Sequence, residues 1–447
     1  MTGMTIEKAL RSCGGRYRGE GSLSAELGRV VIDSREIRPG DLFVAYKGEK
    51  VDGHDFISAA LDKGAACCLA ERVPEGETRG VIVVSDVQSA LEDLAAAYRD
   101  TLRLPIIGIT GSVGKTSAKE MISAVLSSRW KVCKTDKNLN NQIGVPMTLS
   151  RIAPSDEVAV VEMGISGFGE MSRLARMVRP QIAVYTLIGH AHLEFLHDLD
   201  GVLRAKTEMI GFLPEDALVV MNGDDEKLRG YDCPRRRAFV GLGGDCDIRA
   251  ENIVSTDSYT ACDVVSGARR FRVRIPAFGR HLVYAALEAA AVGMEMGLTD
   301  EEIARGIAAF QTVGRRAAVV RTEKITLLDD CYNSNSEALR SGIDSLLELP
   351  GRPVCILGDM LELGDTARDA HCSSGAYAAE KGIARLLCCG EHAGDYCAGA
   401  GEIARRFPDR ASLIAALGEE IREGDCVLVK ASRGAHFEEI SEALKVL

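Results

Sequence analysis

The sequence predicts an α/β protein of three domains, and three observations carry that prediction. The chain has 447 residues, which at roughly 150 per domain provides for about three. Short, strongly apolar runs alternate with amphipathic helical segments, the pattern of a parallel sheet covered on both faces. The alternation restarts twice, at Leu104 and at about Arg315, so the boundaries fall at 1–103, 104–314 and 315–447.

Each element follows from its residues. In the first domain the runs at 30–32 and 42–45 read as strands, and 56–61 and 90–98 as short helices. Pro105 opens the second domain, with a buried strand at 106–109 and a Gly-rich turn after it. The next segment, 117–128, puts Met121, Ile122, Val125 and Leu126 on one helical face. Buried strands recur at 158–161, 182–185 and 217–220, which makes this domain a parallel sheet. Residues 232–275 read as a small β excursion, with 271–275 alternating in polarity. Thr299 and Glu302 form a capping box before Ile303, Ile307 and Phe310. Strands at 325–328, 354–357, 386–389 and 427–429, with helices between them, make the third domain a Rossmann-like α/β unit.

Composition narrows the function classes. Lys and Arg number 54 against 65 Asp and Glu, a net charge of −11, which argues against general nucleic-acid binding. It leaves room for a local basic pocket. The first 19 residues hold no signal-peptide apolar core, and no run approaches the roughly 18 apolar residues of a membrane span, so a cytoplasmic protein is expected. The 14 cysteines contain no C-x-x-C pair, and the adjacent pairs Cys67-Cys68 and Cys388-Cys389 sit in apolar runs. They read as reduced, core-packing thiols rather than zinc ligands.

The chemistry starts at Thr110-Gly111-Ser112-Val113-Gly114-Lys115-Thr116, between strand and helix. Glycines let backbone N–H groups approach a phosphate, and a helix N-terminus adds a positive dipole end. In such a loop the lysine, Lys115, reaches the β- and γ-phosphates, and the Thr116 hydroxyl holds Mg²⁺. Ile109 stands where the general pattern has its first glycine, so this is a shorter G-x-x-G-K-T form. Glu162 ends a buried strand at the sheet edge where doubly wound folds bind ligands, and a carboxylate there suits a hard cation.

The loop and eight further segments, in order from about residue 30 to 440, resemble the Mur ligase family, ATP-dependent amide-forming enzymes of peptidoglycan precursor synthesis. The segments are Asp33-Ser34-Arg35 with the 39–56 stretch, 138–146, Glu162-Met163-Gly164, 189–194, Ala205-Lys206-Thr207-Glu208, 329–335, 357–364 and 430–434. They are most similar to the branch that joins D-alanyl-D-alanine to a UDP-N-acetylmuramoyl-tripeptide. The resemblance implies that the first domain grips the UDP end of that substrate through Ser34 and Arg35, the second binds ATP, and the third closes on it. It implies ATP contacts from Gly111, Ser112, Val113, Gly114, Lys115, Thr116, Ser117, His281, Arg315 and Asp330, with Arg316 competing for the place of Arg315. It casts Lys115, Glu162, His192 and Lys206 as catalytic. Thr116 and Glu162 would hold one Mg²⁺, and His192 with a carbamylated Lys206 a second. Without the resemblance, His192 is a loop histidine and Lys206 a solvated helix lysine. His190 and His197 stay unassigned.

Substrate contacts are implied for Asn138, Asn140, Asn141, Tyr332, Asn333, Asn335, Lys430, Ser432 and Arg433. The expected chemistry is an acyl phosphate on the tripeptide carboxylate, attacked by the amine of D-Ala-D-Ala, in a monomer with small-molecule partners alone. The chain departs from the family pattern after Gly279-Arg280-His281: Leu282 and Ala285 replace two asparagines on the adenine side. Two other readings stay open, a family ligase with a different acceptor and a non-catalytic nucleotide-sugar binder.

Overall fold

The computed structural model describes residues 1–48 and 50–447; Glu49, inside the 39–56 stretch, lies outside them. The first sheet contains β1 (Arg16–Arg18), β2 (Val30–Val31), β3 (Leu42–Val44), β4 (Cys67–Ala70) and β5 (Val81–Val83), in the order β1-β5-β4-β3-β2. Its β2 to β5 are parallel and β1 is antiparallel to β5. The second sheet holds β6 (Ile106–Thr110), β7 (Val132–Lys134), β8 (Val158–Glu162), β9 (Ile182–Tyr185), β10 (Leu218–Asn222), β11 (Arg236–Gly241), β12 (Ile248–Ser255), β13 (Thr260–Ser266) and β14 (Arg269–Ile275). The third holds β15 (Ala318–Arg321), β16 (Thr326–Asp329), β17 (Arg352–Leu357), β18 (Arg385–Cys389), β19 (Ala404–Phe407) and β20 (Asp425–Lys430), in the order β15-β16-β20-β17-β18-β19. The chain is α/β with three sheets, as the residue pattern predicts.

The central sheet runs β14-β13-β12-β11-β10-β9-β6-β8-β7. Alternate residues of its strands feed opposite cores. Ile107, Ile109, Val158 and Val160 pack with Met121, Ile122, Val125 and Leu126, while Ile106, Ala159, Val161, Ala183 and Tyr185 pack on the other face. Burial on both sides is what makes these strands continuous apolar runs. The 232–275 excursion is an extension of this sheet: β11 pairs parallel to β10, and β12 to β14 continue as an antiparallel ribbon.

Caps decide the helix ends. The helix read at 90–98 spans Val87–Thr101, because Asp86 accepts the Ser89 N–H at 2.6 Å. The Thr299–Glu302 capping box forms with both of its bonds. The helix read from residue 117 starts two residues earlier, Lys115–Leu126, because Gly114 at φ +90° makes the turn that ends the loop. That places Lys115 at the helix N-terminus. The structure also adds a helix at Ile6–Cys13, capped by Thr5. All 14 cysteines are free, and no helix is long and apolar enough to cross a membrane, among the described residues.

One buried acid stands apart. Glu288, on the helix Leu282–Glu295, is 2% exposed, and its Oε1 has no hydrogen-bond partner among the described residues. Burial pushes its carboxyl up to about 8 from an ordinary 4.5. The folded state therefore holds a proton that the unfolded chain has released, so stability falls as pH rises from about 4.5 through about 8. At about 1.4 kcal/mol per pH unit the ceiling is about 5 kcal/mol. Glu288→Gln is expected to flatten this loss, and urea unfolding at pH 6 and pH 9 checks it. A wild-type protein equally stable at both would show that the group is not the source.

Candidate active site

Strand register sets the site. Ile109 pairs with Glu162 and Thr110 with Tyr185, so the carboxyl ends of β6, β8 and β9 meet at one edge. The phosphate loop leaves β6 there. Gly111 has φ +151°, and a Cβ on it would lie 2.0 Å from Thr186 Oγ1, so only glycine fits. The loop is clamped to the chain after β9. The Thr186 hydroxyl donates to Val113 O at 2.5 Å, and Ser112 N donates to Leu187 O at 2.7 Å. Ser112 Oγ both donates to Gly189 O and accepts from Gly189 N, each at 2.9 Å. Ser117 follows in the first helical turn.

Lys115 Nζ donates to Gly111 O at 2.6 Å and to Ser112 O at 3.3 Å. Burial lowers its pKa, and the nearby Glu162 opposes that shift. A phosphate in the loop would supply these donors with stronger, charged acceptors.

Glu162 is 2% exposed, and its carboxylate accepts from Thr116 Oγ1 at 3.1 Å and from Asn140 Nδ2 at 2.7 Å. The structure thus brings Thr116 and Glu162 together. Asn140 holds the carboxylate, Asn141 caps the helix Gly144–Ser150 by accepting the Gly144 N–H at 2.9 Å, and Asn138 is exposed. Lys119 is a cation that the sequence reading did not single out. It is 1% exposed, with Nζ 4.0 Å from Glu162 and 2.9 Å from Thr135 O. Its signal was position, one helical turn after Lys115 on the same face.

Lys206 lies on the helix Leu199–Thr207 and is 1% exposed, which removes the solvated reading. Its ammonium has no hydrogen bond or ion pair among the described residues. Burial, then the charge of Lys115, drives its pKa well below the ordinary value. His192 has φ +56° and starts the short helix Leu193–Leu196. Its Nδ1 lies against the Glu362 carboxylate of the third domain, while the unassigned His190 pairs with Glu337. No cluster of three His, Cys, Asp or Glu residues could hold a metal alone, among the described residues. The donor set fits Mg²⁺ with phosphate oxygens, since Mg²⁺ is usually held by one or two carboxylates plus substrate phosphates.

The third domain presents its loops after β16, β17 and β20, at the switch point where strand order reverses. Lys430, 2% exposed, donates to Asp330 at 2.5 Å and to Asn333 O at 3.0 Å. Ser432 Oγ accepts the Leu361 N–H at 3.0 Å and donates to Ser334 O at 3.4 Å, tying the three loops together. Asn335 caps the helix Ser336–Leu347, accepting the Ala338 N–H at 2.9 Å. Asn333 is exposed beside Tyr332, whose ring carries Arg316 at 4.1 Å and Arg433 at 5.5 Å.

The two arginines after Gly314 part company. Arg315 donates to Glu442 at 2.6 Å and to Glu438 O at 3.2 Å, bound to the helix Glu438–Lys445 of its own domain. Arg316 lines a cleft with Thr116, Ser117, Leu282, Phe310 and Val313. The resemblance assigned the phosphate contact to Arg315; the structure brings Arg316 to the phosphate loop. His281 is half-buried, its Nδ1 without a hydrogen-bond partner among the described residues; desolvation lowers its pKa, and the charge of Asp330 opposes that shift. Leu282 is 3% exposed on the same cleft, and Ala285 is buried in the core.

In the first domain Arg35 is exposed and forks onto the Asp33 carboxylate at 2.6 and 2.9 Å, holding it at about 2. Ser34 offers its carbonyl to Lys63. Neither residue contacts the phosphate loop.

Comparisons with known proteins identify the family. Three family profiles match: "Mur ligase family, catalytic domain" at 26–104, "Mur ligase middle domain" at 109–293 and "Mur ligase, glutamate ligase domain" at 315–433. The UDP-N-acetylmuramoyl-tripeptide–D-alanyl-D-alanine ligase of Escherichia coli is 37% identical over 428 residues, 94% of each chain. Its Bacillus subtilis counterpart is 34% identical over 426 residues, 93% of this chain and 92% of that one. A crystal structure of MurF from Acinetobacter baumannii superposes with a TM-score of 0.92 at 28% identity, covering 99% of both chains. MurF from Thermotoga maritima in complex with ADP gives 0.83 at 27% identity, covering 94% of this chain and 97% of that one. The chain belongs to the Mur ligase family.

Proposed function

We propose that this chain joins D-alanyl-D-alanine to a UDP-N-acetylmuramoyl-tripeptide at the expense of ATP. The observation that carries the reading is the contact of Thr116 with Glu162 at 3.1 Å, beside Lys115 at a helix N-terminus. Full-length similarity to curated ligases of that activity supports it.

The domains divide the work at 1–103, 104–314 and 315–447: UDP-sugar grip with Ser34 and Arg35, ATP sheet, and closing domain. The tripeptide's terminal carboxylate attacks the γ-phosphorus of ATP, and ADP leaves. Lys115 and the loop amides hold the phosphate charge. The amine of D-Ala-D-Ala then attacks the carbonyl carbon of the acyl phosphate. The tetrahedral intermediate loses phosphate and the amine its proton, leaving the amide. Bound Mg²⁺ would neutralise developing phosphate charge, held by Thr116 and Glu162 at one site and by His192 and the Lys206 carbamate at the other. Lys206 is suited to carbamylation, since a neutral amine adds CO₂ and releases a proton. The third domain excludes water and aligns the acceptor near Tyr332 and Asn333. The enzyme works as a cytoplasmic monomer.

Phosphate release measured with UDP-tripeptide and D-Ala-D-Ala tests the reading, and silence with every common tripeptide would sink it. Turnover with single amino acids or D-Ala-D-lactate in place of D-Ala-D-Ala would shift it to a different acceptor. Arg316→Ala is expected to raise KM for ATP about tenfold or more, the worth of one charged hydrogen bond. Arg315→Ala is expected to leave that KM within about twofold and lower Tm instead, since its partners lie within the third domain. Steady-state kinetics with a melting curve separates the two.

A further inference from the structure

We propose that His371 is a positioning residue for the ligation: its neutral ring fixes the loop 358–364, the part of the third domain that meets the 192–194 segment of the central domain. The inference rests on the reading of the third domain as the one that closes and aligns the acceptor.

The loop runs from β17, at the switch point, toward the helix Ala367–Glu380, and its polar groups are bonded one by one. Gly358 N donates to Lys430 O at 3.0 Å, and Gly358 O accepts from the Tyr396 hydroxyl at 3.1 Å. Asp359 O accepts the Ser432 N–H at 3.0 Å, and the Asp359 carboxylate accepts from Glu391 N and His392 N at 2.9 and 3.0 Å. Leu361 N goes to Ser432 Oγ. Met360 N goes to a ring nitrogen instead, donating to His371 Nε2 at 2.9 Å.

His371 is fully buried, and its Nδ1 lies 2.6 Å from Ala367 O, which can only accept. Nδ1 therefore carries the proton, and Nε2 offers the lone pair that Met360 N–H needs. A second proton, on Nε2, would aim one N–H at another, so the place admits the neutral ring alone. His392 stacks on the ring at 4.4 Å and Tyr396 meets it edge-on at 4.9 Å, which fixes its plane. The charged and titratable groups around it are Asp359 of the loop, His392, Asp395 and Tyr396 at the helix Ala393–Ala400, and Arg368 of its own helix, 3.9 Å from Asp395. Burial lowers the ring's pKa, in keeping with the neutral form, while the Ala367 carbonyl opposes that shift.

Two residues beyond Met360 the domains touch. Glu194 N donates to Glu362 O at 3.4 Å, and a Cβ on Gly364 would lie 3.2 Å from Glu194 Cα. Glu362 has φ +62°, a left-handed conformation that persists in a non-glycine residue where the surrounding structure over-determines it. Loss of the His371 acceptor strands a buried N–H just before that position, and such a group costs more to leave unpaired than the bond gains when made. The loop then relaxes where it faces the central domain.

The test uses the full-length protein. Long-range ¹H–¹⁵N histidine spectra, assigned with His371→Gln, are expected to show the Nδ1–H tautomer in the parent. His371→Leu fills the space without an acceptor. In it the Met360 amide is expected to exchange with solvent about tenfold faster or more, while β17 and β18 stay as protected as in the parent. Its kcat/KM for D-Ala-D-Ala is expected to fall about 10- to 100-fold, while KM for ATP, bound by the central domain, stays within about twofold. His371→Gln, whose Oε1 keeps an acceptor for Met360 N–H, is expected to recover most of both losses. Tyr377→Phe, on the same helix but bonded to Asp344, is expected to stay within about twofold of the parent. Nε2–H in the parent overturns the proposal, and that reading needs no folded His371→Leu. Parental Met360 exchange or parental kcat/KM in His371→Leu overturns it too. Silence of the parent itself toward D-Ala-D-Ala sinks the functional reading, whereas the spectra and the Met360 exchange judge His371 without turnover.

Discussion

Lys206→Ala is expected to lose turnover by about 10³-fold or more, the scale on which a preorganised charge at the reacting centre acts. Folding should survive, because the native side chain is 1% exposed and its ammonium has no carboxylate partner among the described residues. Removing it deletes a buried amine that burial already disfavours in charged form. The same environment explains the chemistry. Burial, then the charge of Lys115, lowers its pKa well below the ordinary lysine value, which favours the neutral amine that adds CO₂. The carbamate puts an anionic oxygen ligand where the protonated amine would repel Mg²⁺ and Lys115. Acetate or bicarbonate, entering the space that alanine opens, is expected to restore part of the rate. Full activity in the untreated variant would remove Lys206 from the mechanism, and electron density for an unmodified lysine in the nucleotide complex would remove the carbamate.

Lys115→Met is expected to cost about 10³- to 10⁵-fold in kcat/KM for ATP, the range seen when one cation is withdrawn from a phosphoryl-transfer transition state. Its ammonium is spent on two loop carbonyls, Gly111 O at 2.6 Å and Ser112 O at 3.3 Å. Phosphate oxygens would accept those same donors, so the side chain is oriented before nucleotide arrives. Methionine keeps the stem and removes the charge, so the melting temperature should move little while phosphate release collapses. Release within tenfold of the parent would show that backbone amides and the helix N-terminus carry the phosphate alone.

Local pattern made much of the fold legible. Runs such as 106–109 and 158–161 are apolar without alternation because both sides of the central sheet are covered, and that signal needs no distant information. The phosphate loop was legible for the same reason: strand, glycines, lysine and helix are contiguous. The 232–275 segment was harder, since alternation marks a strand but says nothing of the edge it joins, and it extends the central sheet. Arg315 and Arg316 are adjacent and chemically alike, so no local rule separates them. Their partners, Glu442 for one and the cleft beside Thr116 for the other, lie far off in the chain. Several polar motif residues, Asn140, Asn141, Asn335 and Ser432, bond the protein itself, which residue type alone does not reveal.

By itself the sequence determined three α/β units, a phosphate loop at 110–116 and an acidic chain that leaves room for a local basic pocket. Each depends on short-range periodicity, contiguous motif or composition. Only the tertiary structure decided that Lys206 is buried without a partner, that Thr116 and Glu162 touch, and that Glu362 reaches His192 from another domain. The physical reason is that burial and charge pairing are set by segments far apart in the chain. Strand register and domain docking bring them together, and neither is written in any local run of residues.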